Sequence, residues 1–409
     1  MASFEKRGTI LTDRQTDRQT DRQTDRQTDV AVTEKKWKKR ESSIELLKVF
    51  AIFIIVINHI VQTLTSGNPA NVAYVWTISQ ATLDVQTVLL VLFRHFGVWG
   101  NSIFFICSAW FLLRSKNCNK KKWLFMLIEI WSVSVIILAV TYFGLHIHIS
   151  AKDIIKSFLP TTFSTNWYMT CYLLFYLVHP ILNKIIEQMG QKQLFRSTVA
   201  LTILYIGFNF IKSKLFFGSD LILWIAIYFV IAYMQYYLKD FTDSVKANAY
   251  LFIFGLIGVI GLTLLTEFAG VHISALSKQA LHWAPNNSNP FVIAMALALF
   301  NMARQIHFHN NAINYLSSLT LLIYIIHENI ILRGYVRTRI WNSIYHNYGY
   351  EHIFAWVFTF SAATFIFGVV TAMIYTAVLK PFILKFSNSL YGMVRDCYLR
   401  IEARLLQIR

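Results

Sequence analysis

Long runs of apolar residues dominate the chain after residue 40 and are separated by short polar segments. A helix of about 20 such residues is long enough to cross the hydrocarbon core of a bilayer. We therefore predict an all-α fold, a polytopic membrane helical bundle of about ten transmembrane helices. The predicted spans are 46–66, 88–113, 123–145, 167–187, 196–212, 219–238, 249–268, 290–307, 314–332 and 353–380.

Composition agrees with a membrane protein, since 56% of residues are hydrophobic and only 14% are charged. A soluble protein carries about a quarter charged residues. The formal charge of +17 comes from basic residues in the short segments between apolar runs. This distribution is typical of cytoplasmic loops and argues against a nucleic-acid partner. The bias places both termini in the cytoplasm, and we expect the protein to lie in the plasma membrane.

The last predicted outer loop breaks this trend, because it contains Arg333, Arg337 and Arg339. These arginines are either ordinary loop charges or partners for an anionic acceptor outside the cell.

The two ends of the chain differ from its centre. Residues 12–29 repeat Thr-Asp-Arg-Gln without an apolar residue, which predicts disorder. We divide the chain into a low-complexity repeat and basic collar (1–40), a membrane domain (41–385) and a tail (386–409). The tail has the pattern of a basic amphipathic helix on the cytoplasmic surface.

The four cysteines show no metal-binding or disulfide spacing. Cys107 and Cys171 lie in apolar runs, and Cys118 and Cys397 lie in basic segments. We expect buried or reduced thiols and no metal.

The first predicted span has one polar stripe on an otherwise aliphatic surface. At about 100° per residue, Lys48, His59, Gln62 and Ser66 fall on nearly one side of a helix, and Asn58 is adjacent to the histidine. Lipid cannot satisfy these groups, so the stripe must face the bundle interior or a wet cavity. His59 either hydrogen-bonds a neighbouring helix or exchanges a proton during catalysis.

Other polar residues lie at the ends of predicted spans. Arg94 near the outer end of the second span either reaches the headgroups or lies beside His59. A basic cluster at the inner end is either a topology determinant or a site for a phosphorylated cofactor; it comprises Arg114, Lys116, Lys120, Lys121 and Lys122. His327 and Glu328 have either structural or site roles, and Glu129 is a possible counter-charge for Lys48 or for the basic cluster.

Four motifs in order resemble the acyltransferase 3 family of integral-membrane acyltransferases. They are SSIELLKVFAIFIIVINHI, GVWGNSIFFICSAWFLL, NWYMTCYLLFYLVHPILNKI and LSSLTLLIYIIHENIIL. The resemblance covers the chain after residue 40. Ala109 stands where the family has glycine after the serine, and the basic run before the third span lacks the family's Arg-Ile-x-Pro.

The resemblance implies transfer of an acyl group, commonly acetyl from cytoplasmic acetyl-CoA, to a sugar of the bacterial cell envelope or a lipid-linked sugar. It maps the essential histidine onto His59 and the basic residue of the second span onto Arg94. We expect His59 to act as the base or to carry a transient acyl group, and Arg94 or Asn58 to stabilise the developing negative charge.

The remaining candidate residues fall into two groups. Those expected to bind the phosphates of acyl-CoA are Arg114, Lys120, Lys121 and Lys122. Those expected to support the site are Glu45, Lys48, Ser108, His327 and Glu328.

Two other functions are compatible with a polar pathway through a helical bundle. A transporter or flippase of a lipid-linked sugar is the main alternative, although we find no repeat between the halves and little proline within spans. A polysaccharide polymerase or ligase is the second, although such enzymes usually have a large outer loop. Consumption of acetyl-CoA by the purified protein separates transferase from transporter.

Overall fold

The computed structural model describes residues 41–65, 85–211, 220–273, 275–276, 283, 286–349 and 351–407. All regular structure in these ranges is helical, so the predicted all-α class is confirmed. The predicted repeat and basic collar at 1–40, and Ser66 of the predicted polar stripe, lie outside the described residues.

The helices, numbered in chain order, begin with α1 (Ser42–Thr65), α2 (Val85–Leu112), α3 (Lys120–Ala139), α4 (Ala151–Phe158) and α5 (Trp167–Gln188). They continue with α6 (Gln191–Leu201), α7 (Asp220–Tyr237), α8 (Lys239–Asp243), α9 (Val245–Gly270) and α10 (Pro290–Arg304). The last are α11 (Asn311–Ser318), α12 (Thr320–His327), α13 (Thr338–Tyr348), α14 (Ile353–Val378) and α15 (Lys380–Gln407). π-Helical segments extend α3 through Val140–Gly144 and α6 through Thr202–Phe208, and a third, Leu332–Arg337, precedes α13.

The chain is a multi-pass membrane protein. Within the described ranges, eight helices are long and apolar enough to cross a membrane, or nine if the bent pair Asn311–His327 and Leu332–Tyr348 forms one span. The predicted span at 290–307 is the 15-residue helix α10, about 22 Å long at 1.5 Å per residue and shorter than the ~30 Å hydrocarbon core. The count of ten and the side on which the termini lie stay predictions.

Helix α1 lies at the centre of the bundle. It packs against α2, α10, α11, α12 and α14, and 72% of its most apolar window is buried. The corresponding share is only 22% for α9 and α14, which therefore lie at the periphery. Asn58 and His59 on α1 are thus kept away from lipid.

Two glycines allow α1 and α2 to approach closely. A Cβ at Gly100 would lie 2.6 Å from the carbonyl oxygen of Ala51, and one at Gly97 would lie 2.3 Å from Nδ2 of Asn58. Small residues at such crossings let two backbones pack without intervening side chains. Ala109, at the position where the resembling family has glycine, is fully buried in the hydrophobic core.

Polar contacts align α11 and α12 with α1. Ser42 donates its hydroxyl hydrogen to Oδ1 of Asn314 at 2.8 Å, and Ser317 donates to Glu45. Glu45 also pairs with Lys48 at 2.7 Å. These contacts hold α11 beside the N-terminal end of α1, which is the predicted cytoplasmic end. The C-terminal end of α12 therefore lies beside the C-terminal half of α1.

The segment after α12 turns sharply and is held by α4. The helices before and after the break are bent by 65°. Tyr335 in the π-helical segment donates to Oδ2 of Asp153 at 2.7 Å and accepts from the backbone N–H of Ser150 at 3.1 Å. Burial raises the pKa of Asp153, but the hydrogen bonds from Tyr335 and Ser150 and the charge of Lys156 outweigh it, so the pKa lies below its usual value.

We predict that Gly100→Ala destabilises the protein by about 1–3 kcal/mol, since the new methyl group would overlap the α1 backbone. The matched control is Gly261→Ala on α9, where a Cβ meets nothing within 4 Å and alanine favours the helix. Thermal unfolding in detergent should show a lower melting temperature for the first variant only. Equal melting temperatures would contradict the close packing of α1 and α2.

We predict that Asp153→Asn lowers the melting temperature equally at pH 7 and pH 5. A carboxyl whose folded-state pKa is depressed stabilises the fold above its unfolded pKa of about 3.9 and loses that effect as the pH falls toward the folded value. The difference from wild type should therefore shrink only below about pH 4. Asp240→Asn, at an exposed carboxylate, is the control and should change little at any pH.

Candidate active site

A cluster of polar side chains forms where α1, α12 and the following segment meet. α1 contributes His59, α12 ends at His327, and Glu328 begins the break. The π-helical segment adds Arg333 and Arg337. All are buried except Arg333, whose side chain is 42% exposed.

His59 contacts both residues at the end of α12. Its Nδ1 lies 2.9 Å from Oε2 of Glu328 and 3.0 Å from Nε2 of His327. The two imidazole rings are 5.2 Å apart between centroids and inclined by 32°. The predicted catalytic histidine and the pair assigned to the ninth span therefore occupy one site.

The hydrogen-bond partners assign the tautomers of both histidines. Nδ1 of His327 lies 2.7 Å from the carbonyl oxygen of Ile323, which only accepts, so this nitrogen carries a hydrogen. A neutral His327 then has an accepting Nε2. Nδ1 of His59 is consequently the donor to Glu328 and His327, and Nε2 of His59 is left as the basic nitrogen.

Two guanidinium groups hold the Glu328 carboxylate in place. Nη1 of Arg333 lies 2.6 Å from Oε1, and Nη1 of Arg337 lies 3.5 Å from Oε2. Arg337 also donates to the carbonyl oxygens of His59, at 3.4 Å, and of His327. Arg337 thus connects α1, the end of α12 and the carboxylate.

The spacing of three of these residues would also suit a metal ion. Ligand atoms of His59, His327 and Glu328 all lie within 4.8 Å of one another. However, Arg333 and Arg337 already neutralise the carboxylate and would repel a cation. The arrangement suits proton transfer better than metal binding, and the expectation of no metal stays a prediction.

A cavity of about 190 Å³ lies between the polar cluster around His59 and the predicted cytoplasmic face. Three predicted residues, Lys48, Ser108 and Lys122, line it. Tyr324, also in its wall, meets the His327 ring edge-on with centroids 5.7 Å apart. The cavity therefore runs from basic side chains toward the histidine pair.

Only one residue of the predicted phosphate-binding group reaches this cavity. Lys122 lines it and lies 5.7 Å from the ring centroid of Tyr176. Lys121 instead lies 5.6 Å from the ring centroid of Tyr391 on α15. Arg114 and Lys120 are exposed.

Arg94 stays a predicted neighbour of His59. It is buried on α2, and its Nε and Nη1 have no hydrogen-bond partner. Among the described contacts, the guanidinium that touches His59 belongs to Arg337. Asn58 is buried against Gly97, one helical turn from Arg94, and its Oδ1 also has no hydrogen-bond partner.

Two sequence-based expectations need correction. Gln62, predicted to share the inward polar stripe of His59, is exposed. The neighbouring helices cover only part of this stripe on α1, and Gln62 lies outside the covered part. Glu129 pairs with Lys380 at 3.6 Å rather than with Lys48, since α15 packs along α3.

The specific roles of Arg333 and Arg337 escaped sequence reasoning, which placed them in an outer loop. The available signal was that both arginines lie in a predicted outer loop, against the positive-inside trend. They follow Glu328 by five and nine residues. The bend after α12 returns them to the carboxylate.

Comparison with known proteins agrees with this architecture. No curated protein and no solved structure matched the chain. A family model described as an acyltransferase domain matches residues 41–378, which is nearly all of the chain that carries the bundle. The chain therefore belongs to the acyltransferase 3 family and is a membrane acyltransferase.

Proposed function

We propose that this protein transfers an acetyl or similar acyl group from cytoplasmic acyl-CoA to a hydroxyl of a cell-envelope or lipid-linked carbohydrate in the bacterial plasma membrane. The observation that carries the proposal is the contact between His59 Nδ1 and Glu328 Oε2 at 2.9 Å. It orients a buried imidazole whose other nitrogen can accept a proton.

The proposed reaction uses His59 as a general base. Its Nε2 accepts the proton of the acceptor hydroxyl while the hydroxyl oxygen attacks the thioester carbonyl carbon. The tetrahedral intermediate then collapses, the carbon–sulfur bond breaks, and the CoA thiolate takes the proton back from His59. Glu328 stabilises the imidazolium that forms in between, as a carboxylate does in a hydrolase triad.

Arg94 and Asn58 are the proposed partners of the negative charge on the tetrahedral oxygen. Nε and Nη1 of Arg94 are buried without a hydrogen-bond partner, so they can donate to a new oxyanion without giving up another contact. Arg337 is less suitable, because it already binds Glu328 and two carbonyl oxygens. Donors that are preorganised in a buried site stabilise such charge strongly.

The 190 Å³ cavity is the proposed path of the acyl donor. Lys48 at one end and His59 are eleven residues apart on α1, or about 16 Å along the helix axis. An extended pantetheine arm spans a distance of this order. The nucleotide phosphates would then remain near Lys122 at the cytoplasmic mouth, and the thioester would lie near Tyr324 and the histidine pair.

We predict that His59→Gln lowers the rate of acyl transfer by about 10²–10⁴-fold, the usual contribution of a general base. The protein should still fold, because glutamine retains hydrogen-bonding groups for Glu328. CoA release from acetyl-CoA, measured with purified protein in native lipid extract, reports the reaction. Gln62→Ala, an exposed position on the same helix, is the control and should keep normal activity.

Near-normal CoA release by a folded His59→Gln variant would contradict the base role. The same assay separates a transferase from a lipid-linked sugar transporter, because a transporter would consume no acetyl-CoA. Acid quenching during turnover, followed by mass spectrometry of the peptide with His59, would reveal an acyl-histidine if the transfer proceeds in two steps.

We predict that Lys122→Glu raises the KM for acetyl-CoA by about tenfold or more, equivalent to at least ~1.4 kcal/mol of binding free energy. The reason is that Lys122 lines the cavity, and a carboxylate there would repel the donor phosphates. Lys121→Glu is the matched control, since Lys121 faces Tyr391 instead and should change KM less. Equal KM values in both variants and wild type would exclude this donor path.

A further inference from the structure

A second cavity, of about 280 Å³, lies on another side of His327. His327 and Arg337 form its polar inner wall. The rest is mainly apolar, with Val336 and Ile340 on one side and Phe360 and Phe367 of α14 on the other. The site described above therefore borders a space that suits hydrocarbon rather than a sugar.

This cavity opens on the surface of the bundle that lipid covers. Phe367 and Ile340 on its rim are 53% and 40% exposed, and α14 is one of the least buried spans. Phe360 and Phe367 lie seven and fourteen residues into α14, about 10–21 Å along its axis. That depth falls within the hydrocarbon core of about 30 Å, so a molecule entering sideways must present an apolar chain.

The charge of the two neighbouring arginines favours an anionic headgroup. Arg333 and Arg337 share the single carboxylate of Glu328, which leaves one positive charge in excess. The Arg333 side chain is 42% exposed and lies in the same π-helical segment as the lining residues Leu332 and Val336. Guanidinium groups bind phosphate oxygens well.

We propose that this cavity binds the hydrocarbon chain of a lipid phosphate that carries the acceptor hydroxyl, with its phosphate near Arg333. The inference rests on the proposed function, since it assigns the acceptor's carrier at the same site. The donor reaches the histidine pair through the cavity near Lys122, and the lipid-borne acceptor reaches it sideways from the bilayer. Neither substrate has to displace the other.

Photolabelling of the full-length protein tests the proposal. The probe is a long-chain alkyl phosphate with a diazirine in its chain, present in trace amount in phosphatidylcholine nanodiscs. Mass spectrometry should find the label on Val336, Ile340 and Phe360, and an excess of unmodified alkyl phosphate should remove it. Lipid-facing positions outside the cavity, such as Phe358 and Val370, should be labelled without competition.

A matched pair of tryptophan variants locates the site. Ala363 lines the cavity and is exposed, so Ala363→Trp fills the space without entering the core. Ala355 is also exposed on α14 but lies outside the cavity lining. Competed labelling should fall about tenfold in Ala363→Trp, equivalent to ~1.4 kcal/mol, and remain in Ala355→Trp.

Three results would overturn the proposal. Equal, competed labelling by the same chain with a phosphocholine headgroup would identify an ordinary bilayer lipid. Displacement by long-chain acyl-CoA, but not by alkyl phosphate, would identify a pocket for the donor's acyl chain. Labelling that no competitor removes would identify non-specific lipid contact.

Labelling requires no turnover and should persist in His59→Gln. A failure of the cavity proposal is therefore distinguishable from a failure of the proposed chemistry, which is measured by CoA release.

Discussion

The buried Glu328 carboxylate is the charge on which the rest of the site depends. Isolating a carboxylate from water costs several kcal/mol unless close partners replace its hydration. Here His59, Arg333 and Arg337 replace it, from two parts of the chain about 270 residues apart. The same contacts fix the His59 tautomer and hold the bend after α12, so one carboxylate links the His59 imidazole to the fold around it.

The second constraint is the close packing of α1 against its neighbours. Gly97 and Gly100 let α2 approach the α1 backbone, and Ser42, Glu45 and Ser317 align α11 and α12 with it. The buried Asn58 and His59 of this central helix must face protein or a cavity, because lipid cannot satisfy their polar groups. The two cavities near the histidine pair are where this packing leaves space.

Sequence reasoning singled out His59, His327 and Glu328, which the structure brings together. His59 was a candidate site residue because a histidine inside an apolar run must avoid lipid. Lys48, Ser108 and Lys122 were candidates because of their polarity or charge and their positions along the predicted spans. The sequence left open whether Glu328 has a structural role or belongs to the site of His59, since helical periodicity relates residues only within one helix. The expected place of Arg94 beside His59 stays a prediction, because depth along a span does not determine which neighbour a side chain faces.

The sequence alone determined the class of fold, the family and the central histidine, since these depend on local quantities: the length of apolar runs, the positions of basic residues and the order of motifs. Tertiary structure decided which charges meet. A 65° bend brings Arg333 and Arg337, which were predicted to lie in a loop, into contact with Glu328. The packing of α15 along α3 brings Lys380 within 3.6 Å of Glu129. Such pairings depend on the relative positions of distant segments, which no pattern within a single helix encodes.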